Sequence, residues 1–204
     1  MAFLSFDADK HEYTVNGRKL PSVTEICGML FNYGEFNPTL LKQASRRGTI
    51  VHDYCATIDY VNDGIEPEGI EVEPELSGYV LAYMHFLRDY KPEWEMIEQK
   101  VYSEELGVAG TLDRLGTIDG KPYLVDIKTT SSPTREKRVA WACQLAGYAL
   151  ILDLPDIKRI NVVLKKDGKY QVINAEETEE KYGFYGKTLF RDLLNIWEIL
   201  KGES

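Results

Sequence analysis

The chain is short of cysteine, of long apolar runs and of positive charge, and each shortage removes a class of protein. Its three cysteines, Cys27, Cys55 and Cys143, are odd in number, far apart and set in apolar stretches. They suggest neither a disulfide framework nor a CxxC metal site and read as buried reduced thiols. Three thiolates also cannot supply the four that an ordinary iron–sulfur cluster takes. No apolar run approaches the roughly 20 residues that span a bilayer. The first residues, Met1-Ala2-Phe3-Leu4-Ser5-Phe6-Asp7, lack the basic and apolar regions of a secretory signal. A cytoplasmic location and no membrane contact are therefore expected. With 24 Lys and Arg against 33 Asp and Glu, the formal charge is −9. Non-specific coating of nucleic acid draws on Lys and Arg, so this balance argues against it.

What is present is an ordinary globular composition, 44% hydrophobic and 28% charged over 204 residues, enough for one substantial core. Charge is unevenly spread. From Asp63 to Glu75 there are six acids and no base, whereas Lys128 to Arg138 holds four bases against Glu136. An acidic loop and a local basic strip can coexist on one surface. The sequence contains no internal repeat and no low-complexity tract.

Periodicity and turn residues predict the elements. A hairpin is expected from Phe3 to Val15 with its turn at Asn16-Gly17, followed by a helix from Val23 to about Leu30 capped by Ser22. Asn37-Pro38 opens a second helix ending near Arg47-Gly48, and Thr49 to Val61 forms a third, with His52 near its start. Pro74 to Tyr90 is helical and stops at Lys91-Pro92. Strands follow at Glu95–Tyr102, Val108–Ile118 and Pro122–Thr129, then a helix from Arg138 to Leu152. Strands at Ile157–Lys165 and Tyr170–Ile173 flank Asp167-Gly168, and one long helix runs from about Glu176 to Leu200. The order predicts an α/β fold with a central mixed sheet flanked by helices, in one domain over residues 1–204. Residues 1–72 form a hairpin and helical preface; residues 73–204 form the α/β core and C-terminal helix.

The most informative stretch is GTLDRLGTIDGKPYLVDIKTT, in which Asp119-Gly120 is a hairpin turn between two apolar, β-branched runs. Strand alternation puts Asp126 and Lys128 on one face, with Val125 and Ile127 on the other. Across the turn, Asp113 can join them. Two carboxylates and an ammonium suit hydrolysis of a phosphodiester: carboxylates hold hard divalent cations that neutralise phosphate and activate water, and a fixed positive charge stabilises the transition state. The same triplet also fits an edge strand with a solvated charged face. Gln144 and Tyr148, four apart, share a helix face and can either reach the same site or serve as boundary polar residue and core aromatic.

Taken together, Gly110-Thr111-Leu112-Asp113, Asp126-Ile127-Lys128 and Gln144-Leu145-Ala146-Gly147-Tyr148 resemble successive motifs of the PD-(D/E)XK nuclease superfamily. The match is closest to its RecB-like exonuclease branch. Arg47-Gly48-Thr49-Ile50-Val51-His52 matches that branch's upstream histidine motif, and the segment from Tyr13 to Thr24 is similar to the start of phage-associated members. The missing cysteine set departs from the iron–sulfur members of the branch.

The resemblance implies a restriction-endonuclease-like core and a DNA exonuclease dependent on Mg²⁺ or Mn²⁺. His52, Asp113, Asp126 and the backbone carbonyl of Ile127 would be metal ligands. Lys128 would be catalytic, and Gln144 and Tyr148 would position DNA or brace the lysine. Glu98 is the candidate for an additional acid, although its spacing does not separate it from Glu95, Glu104 or Glu105. Lys42, Arg46, Arg47, Arg135, Lys137 and Arg138 are candidate phosphate contacts, which position without reading sequence. Trp141 is a packing residue or a base-stacking one; His11 and His85 are read as structural or solvated. Rival readings are a DNA-binding or assembly module working with a helicase or recombination partner, and a related hydrolase of RNA.

Overall fold

A computed structural model of the chain describes residues 3–8, 10–31, 38–61 and 71–201. Asn37, and Asp63, Glu66 and Glu68 of the acidic stretch, lie outside the described residues.

Asn16 and Gly17, at φ 50° and 82°, form the turn their sequence announces. The strands it joins are β2 (Glu12–Val15) and β3 (Arg18–Leu20), and β1 (Leu4–Asp7) pairs antiparallel with the other side of β2. The expected hairpin is thus a three-stranded meander. Tyr13, Val15 and Leu20 bury against Ala109. Ser22 then caps α1 (Val23–Gly28) by accepting the Glu25 N–H at 3.0 Å.

The two helices expected on either side of Gly48 are one continuous helix, α2 (Pro38–Val61). Gly48 costs helix propensity, but it is not among the glycines with positive φ, and Val51, Cys55 and Ile58 on the following turns are buried against the sheet. Tertiary packing of that face outweighs the local cost. His52 consequently sits past the middle of a long helix. α3 (Ser77–Tyr90) ends at Lys91, whose left-handed conformation (φ 44°) and following Pro92 stop the helix.

The main sheet runs in the order β4 (Glu93–Ser103), β5 (Val108–Ile118), β6 (Lys121–Thr129), β7 (Lys158–Leu164), β8 (Tyr170–Asn174). β6 and β7 are parallel, joined through α4 (Arg135–Ile151), and the remaining neighbours are antiparallel. A parallel pair needs such a crossover, and the helix covers one face of the sheet. Leu112, Leu115 and Leu124 pack on that side against α1, α4 and α6 (Gly186–Lys201). Ile118, Val125, Ile127, Ile160 and Val162 pack on the other side beneath α2 and α3. β6 is therefore a central strand buried on both faces, which rules out the solvated-edge reading of its charged residues.

The single helix expected after β8 is broken into α5 (Ala175–Tyr182) and α6 by Gly183, at φ 69°. Gly183 closes α5 with its N–H toward the Glu179 and Glu180 carbonyls, a glycine C-cap. The amphipathic pattern runs across the break because both helices bury a face against the same core.

Candidate metal and phosphate site

The β5–β6 ladder runs from Ile118↔Lys121 to Arg114↔Val125 and stops there. Beyond that pair β5 stays with β4 and β6 stays with β7, so the sheet forks. The next two facing positions would be Asp113 and Asp126. At the fork the Ile127 N–H, without a strand partner on this side, donates to Asp113 Oδ2 at 2.6 Å. A side chain thus replaces the backbone acceptor that the ladder no longer supplies.

His52 from α2, Glu98 from β4 and Asp113 from β5 converge here, with ligand atoms all within 4.8 Å of one another. His52 Nδ1 lies 3.6 Å from Glu98 Oε1 and 3.6 Å from Asp113 Oδ2. Its Nε2 donates to the Ile127 carbonyl at 2.9 Å, which fixes the ring and leaves Nδ1 facing the carboxylates. Burial alone pulls the imidazolium pKa down, but Asp113 and Glu98 outweigh it and hold the value at about 9. Burial pushes Glu98 up, yet His52 and Arg114 hold it below the usual carboxylate range.

Asp126, expected beside Asp113 as a ligand, is not part of that trio. It is buried, and its carboxylate receives the Lys128 ammonium at 2.9 Å and the Asn161 amide at 2.7 Å. Burial pushes its pKa up to about 6; Lys128 opposes the rise and Asp113 adds to it. Lys128 Nζ also donates to Gln144 Oε1 at 2.9 Å. Burial would lower the Lys128 pKa, but Asp126 and Asp113 raise it and keep the ammonium charged. The Ile127 carbonyl, expected to face a metal, is engaged by His52.

Tyr148 is buried in the core against the strand that leads into Asp113. Its hydroxyl donates to the Thr111 carbonyl at 2.6 Å, and Tyr13 meets Thr111 Oγ1 at 2.8 Å. A Cβ on Gly110 would stand 2.8 Å from the Tyr148 ring, which is the physical reason for glycine there. Glu95 is exposed, as are Glu104 and Glu105, so Glu98 alone of these acids reaches the site.

A cleft of about 370 Å³ adjoins His52 and Lys128 between α2 and α4, with Arg47, Lys137 and Trp141 in its wall. Arg47 donates to the Thr129 carbonyl at 3.5 Å and Lys137 to Thr130 Oγ1 at 3.2 Å. Trp141 packs on Val163 and Ile173. Arg138 donates to the Pro133 carbonyl and Arg135 stacks over Tyr182, whereas Lys42 and Arg46 are exposed. His85 bonds the Gly168 carbonyl and His11 packs edge-on to Phe6, both away from the fork.

Three residues escaped the sequence reading: Arg114, Asp59 and Asn161. Arg114 is wholly buried and donates to Asp59, to Glu98 and to the Asp113 carbonyl. Signals existed: a charge inside the apolar strand VAGTLDRLGTI, an acid seven residues after His52 on one helix face, and an amide in the apolar run RINVVL.

A five-stranded mixed sheet covered by helices, with acids, a histidine and a lysine at a fork between its strands, is the restriction-endonuclease-like architecture. A family model of the PD-(D/E)XK nuclease superfamily matches residues 71–183, and the chain belongs to that superfamily. Membership implies a nuclease, and such enzymes typically use divalent metals; the His52, Glu98 and Asp113 trio is a candidate site for one. No curated protein matches the chain significantly. Among solved structures, the crystal structure of SSO0001 aligns over 87% of this chain and 75% of its own, at 16% identity and a TM-score of 0.39, too distant to bear on function. Among the described residues, no helix is long and apolar enough to cross a membrane.

Proposed function

We propose that the chain is a Mg²⁺- or Mn²⁺-dependent deoxyribonuclease of exonuclease type, its preface and core acting as one nuclease domain. The observation that carries this reading is the meeting of an imidazole and two carboxylates within 4.8 Å beside a charged, braced lysine, in a chain of the nuclease superfamily. The donor set fits the ion: carboxylate oxygens with one imidazole suit Mg²⁺ or Mn²⁺ better than softer metals.

His52 Nδ1, Glu98 and Asp113 would hold the metal, with Asp126 and the second lone pair of the Ile127 carbonyl as further oxygen donors. When bound, such an ion would supply positive charge to offset that of the phosphate and would activate water for attack. Lys128, aimed by Asp126 and Gln144, places a fixed positive charge where negative charge develops on the phosphate. Tyr148 acts at one remove by tying α4 to the strand that carries Asp113. Arg47 and Lys137 in the cleft wall are suited to backbone phosphates, and the superfamily points to DNA as the partner.

The upstream histidine, the Gln144/Tyr148 element and the Tyr13–Thr24 segment support the RecB-like, phage-associated assignment. With it comes a role in DNA recombination and repair beside a helicase or recombination protein. The test is a cleavage assay with Mg²⁺ or Mn²⁺ on labelled linear, circular and single-stranded DNA and on RNA. Degradation of linear DNA with survival of the circle is expected, abolished by Asp126→Ala and by Lys128→Ala. Cutting of the circle would refute the exonuclease, preference for RNA would refute the DNA substrate, and activity unchanged in both variants would refute the catalytic site.

A further inference from the structure

We propose that Arg114, anchored by Asp59 and Tyr83, is a positioning residue that fixes the Glu98 carboxylate and thereby sets how tightly the trio binds its metal ion. This rests on the reading of His52, Glu98 and Asp113 as the metal site.

Arg114 is a charged side chain with no solvent exposure in the middle of β5. Its Nε donates to Asp59 Oδ2 at 2.6 Å, and its Nη1 donates to Glu98 Oε1 at 2.9 Å and to the Asp113 carbonyl at 2.7 Å. Tyr83 from α3 donates to the same Asp59 oxygen at 2.6 Å. One guanidinium therefore grips the side chain of one member of the trio and the backbone of another. Asp59 follows His52 by seven residues, two turns along α2, so the same helix delivers the imidazole and the carboxylate that anchors the arginine.

Stability does not account for this network. A fully buried ion pair regains little beyond the cost of dehydrating both charges, and an apolar side chain of similar size often serves folding as well or better. The pairing is also incomplete: Arg114 Nη2 is buried without a hydrogen-bond partner. Glu98 supplies the second observation. It sits mid-strand at φ 47°, a left-handed conformation that non-glycine residues rarely adopt, and such strain persists where surrounding contacts over-determine it. The contact that holds the Glu98 side chain from the protein interior is Arg114, while His52 meets it from the metal side.

The test is titration of Mn²⁺ into metal-free protein, alongside thermal melting. Arg114→Met, Glu98→Gln and the double variant are compared with wild type. Loss of an outer partner of a metal ligand costs on the order of 10- to 100-fold in affinity. That loss is expected for Arg114→Met with a retained melting transition, and the double variant should bind no more weakly than Glu98→Gln alone, because the arginine acts through the glutamate. Wild-type affinity in folded Arg114→Met, or losses that add in the double variant, would refute the positioning role. If Arg114→Met does not fold, Asp59→Asn is read in its place: weaker Mn²⁺ binding supports the role and unchanged binding refutes it. Asp113→Asn is the control, since Mn²⁺ binding unchanged by that substitution would instead refute the metal-site reading itself.

Discussion

Asp113 Oδ2 accepts the backbone N–H of Ile127 at 2.6 Å, one position past the point where β5 and β6 cease to pair. The carboxylate thus has two tasks: it closes the apex of the fork with one hydrogen bond and turns the same charge toward His52 Nδ1. Asp113→Ala should remove both. Mn²⁺ affinity and cleavage are expected to fall together, and the orphaned Ile127 N–H should cost about 1–3 kcal/mol of stability. Calorimetric titration and chemical denaturation check the two losses separately.

Lys128 and Asp126 are a buried ion pair, so removing one partner strands the other. Lys128→Met is expected to abolish cleavage and to destabilise the chain by about 3–5 kcal/mol unless Asp126 takes up a proton. Gln144→Ala removes the neutral brace alone; kcat should fall by roughly tenfold with little change in KM, as expected when orientation in the transition state is lost. Steady-state kinetics on linear DNA distinguishes the two variants.

The elevated His52 pKa, about 9, makes metal binding pH-dependent. A metal ion needs the imidazole neutral, so binding expels a proton and apparent Mn²⁺ affinity should rise with pH up to about 9. The rise should flatten in His52→Ala. For the metal-free protein the sign is opposite: the folded pKa lies above the ordinary histidine value of 6.5, so this group's stabilisation is full below that value and is lost as pH rises through 9. Titrations between pH 6 and 9.5 and melting curves over the same range test both trends.

Gly110 and Tyr148 make a prediction about packing. The Cβ of Gly110→Ala would meet the tyrosine ring at 2.8 Å, so the ring or the strand must shift. Overpacking of this kind costs about 1–3 kcal/mol, which in a chain of this size is a fall in Tm of about 2–4 °C per kcal/mol. Tyr148→Phe keeps the ring and loses the bond to Thr111, and should cost only about 0.5–1.5 kcal/mol. Thermal melting of both variants checks the order.

Much of the architecture was legible because it is written in neighbouring residues. Asp119-Gly120 turns the β5–β6 hairpin at positive φ, Ser22 caps α1, and alternation places Asp126 and Lys128 on one face, where they meet at 2.9 Å. Gly48 misled for a local reason, since a weak helix former sits inside a helix that sheet packing carries through. Gly183 misled in the opposite sense: the apolar period continues while the backbone stops.

The sequence by itself determined the strands of the main sheet, the turn between the acidic strands and which charges share a face, because turn chemistry and side-chain periodicity depend on residues a few positions apart. Only the tertiary structure decided what those charges touch. His52 and Ile127 are 75 residues apart, Asp59 and Arg114 are 55 apart, and Asp126 and Asn161 are 35 apart. Where the β5–β6 ladder opens, which acid joins His52 there and which is held by Lys128 follow from how two helices pack on opposite faces of one sheet. No local pattern encodes that packing.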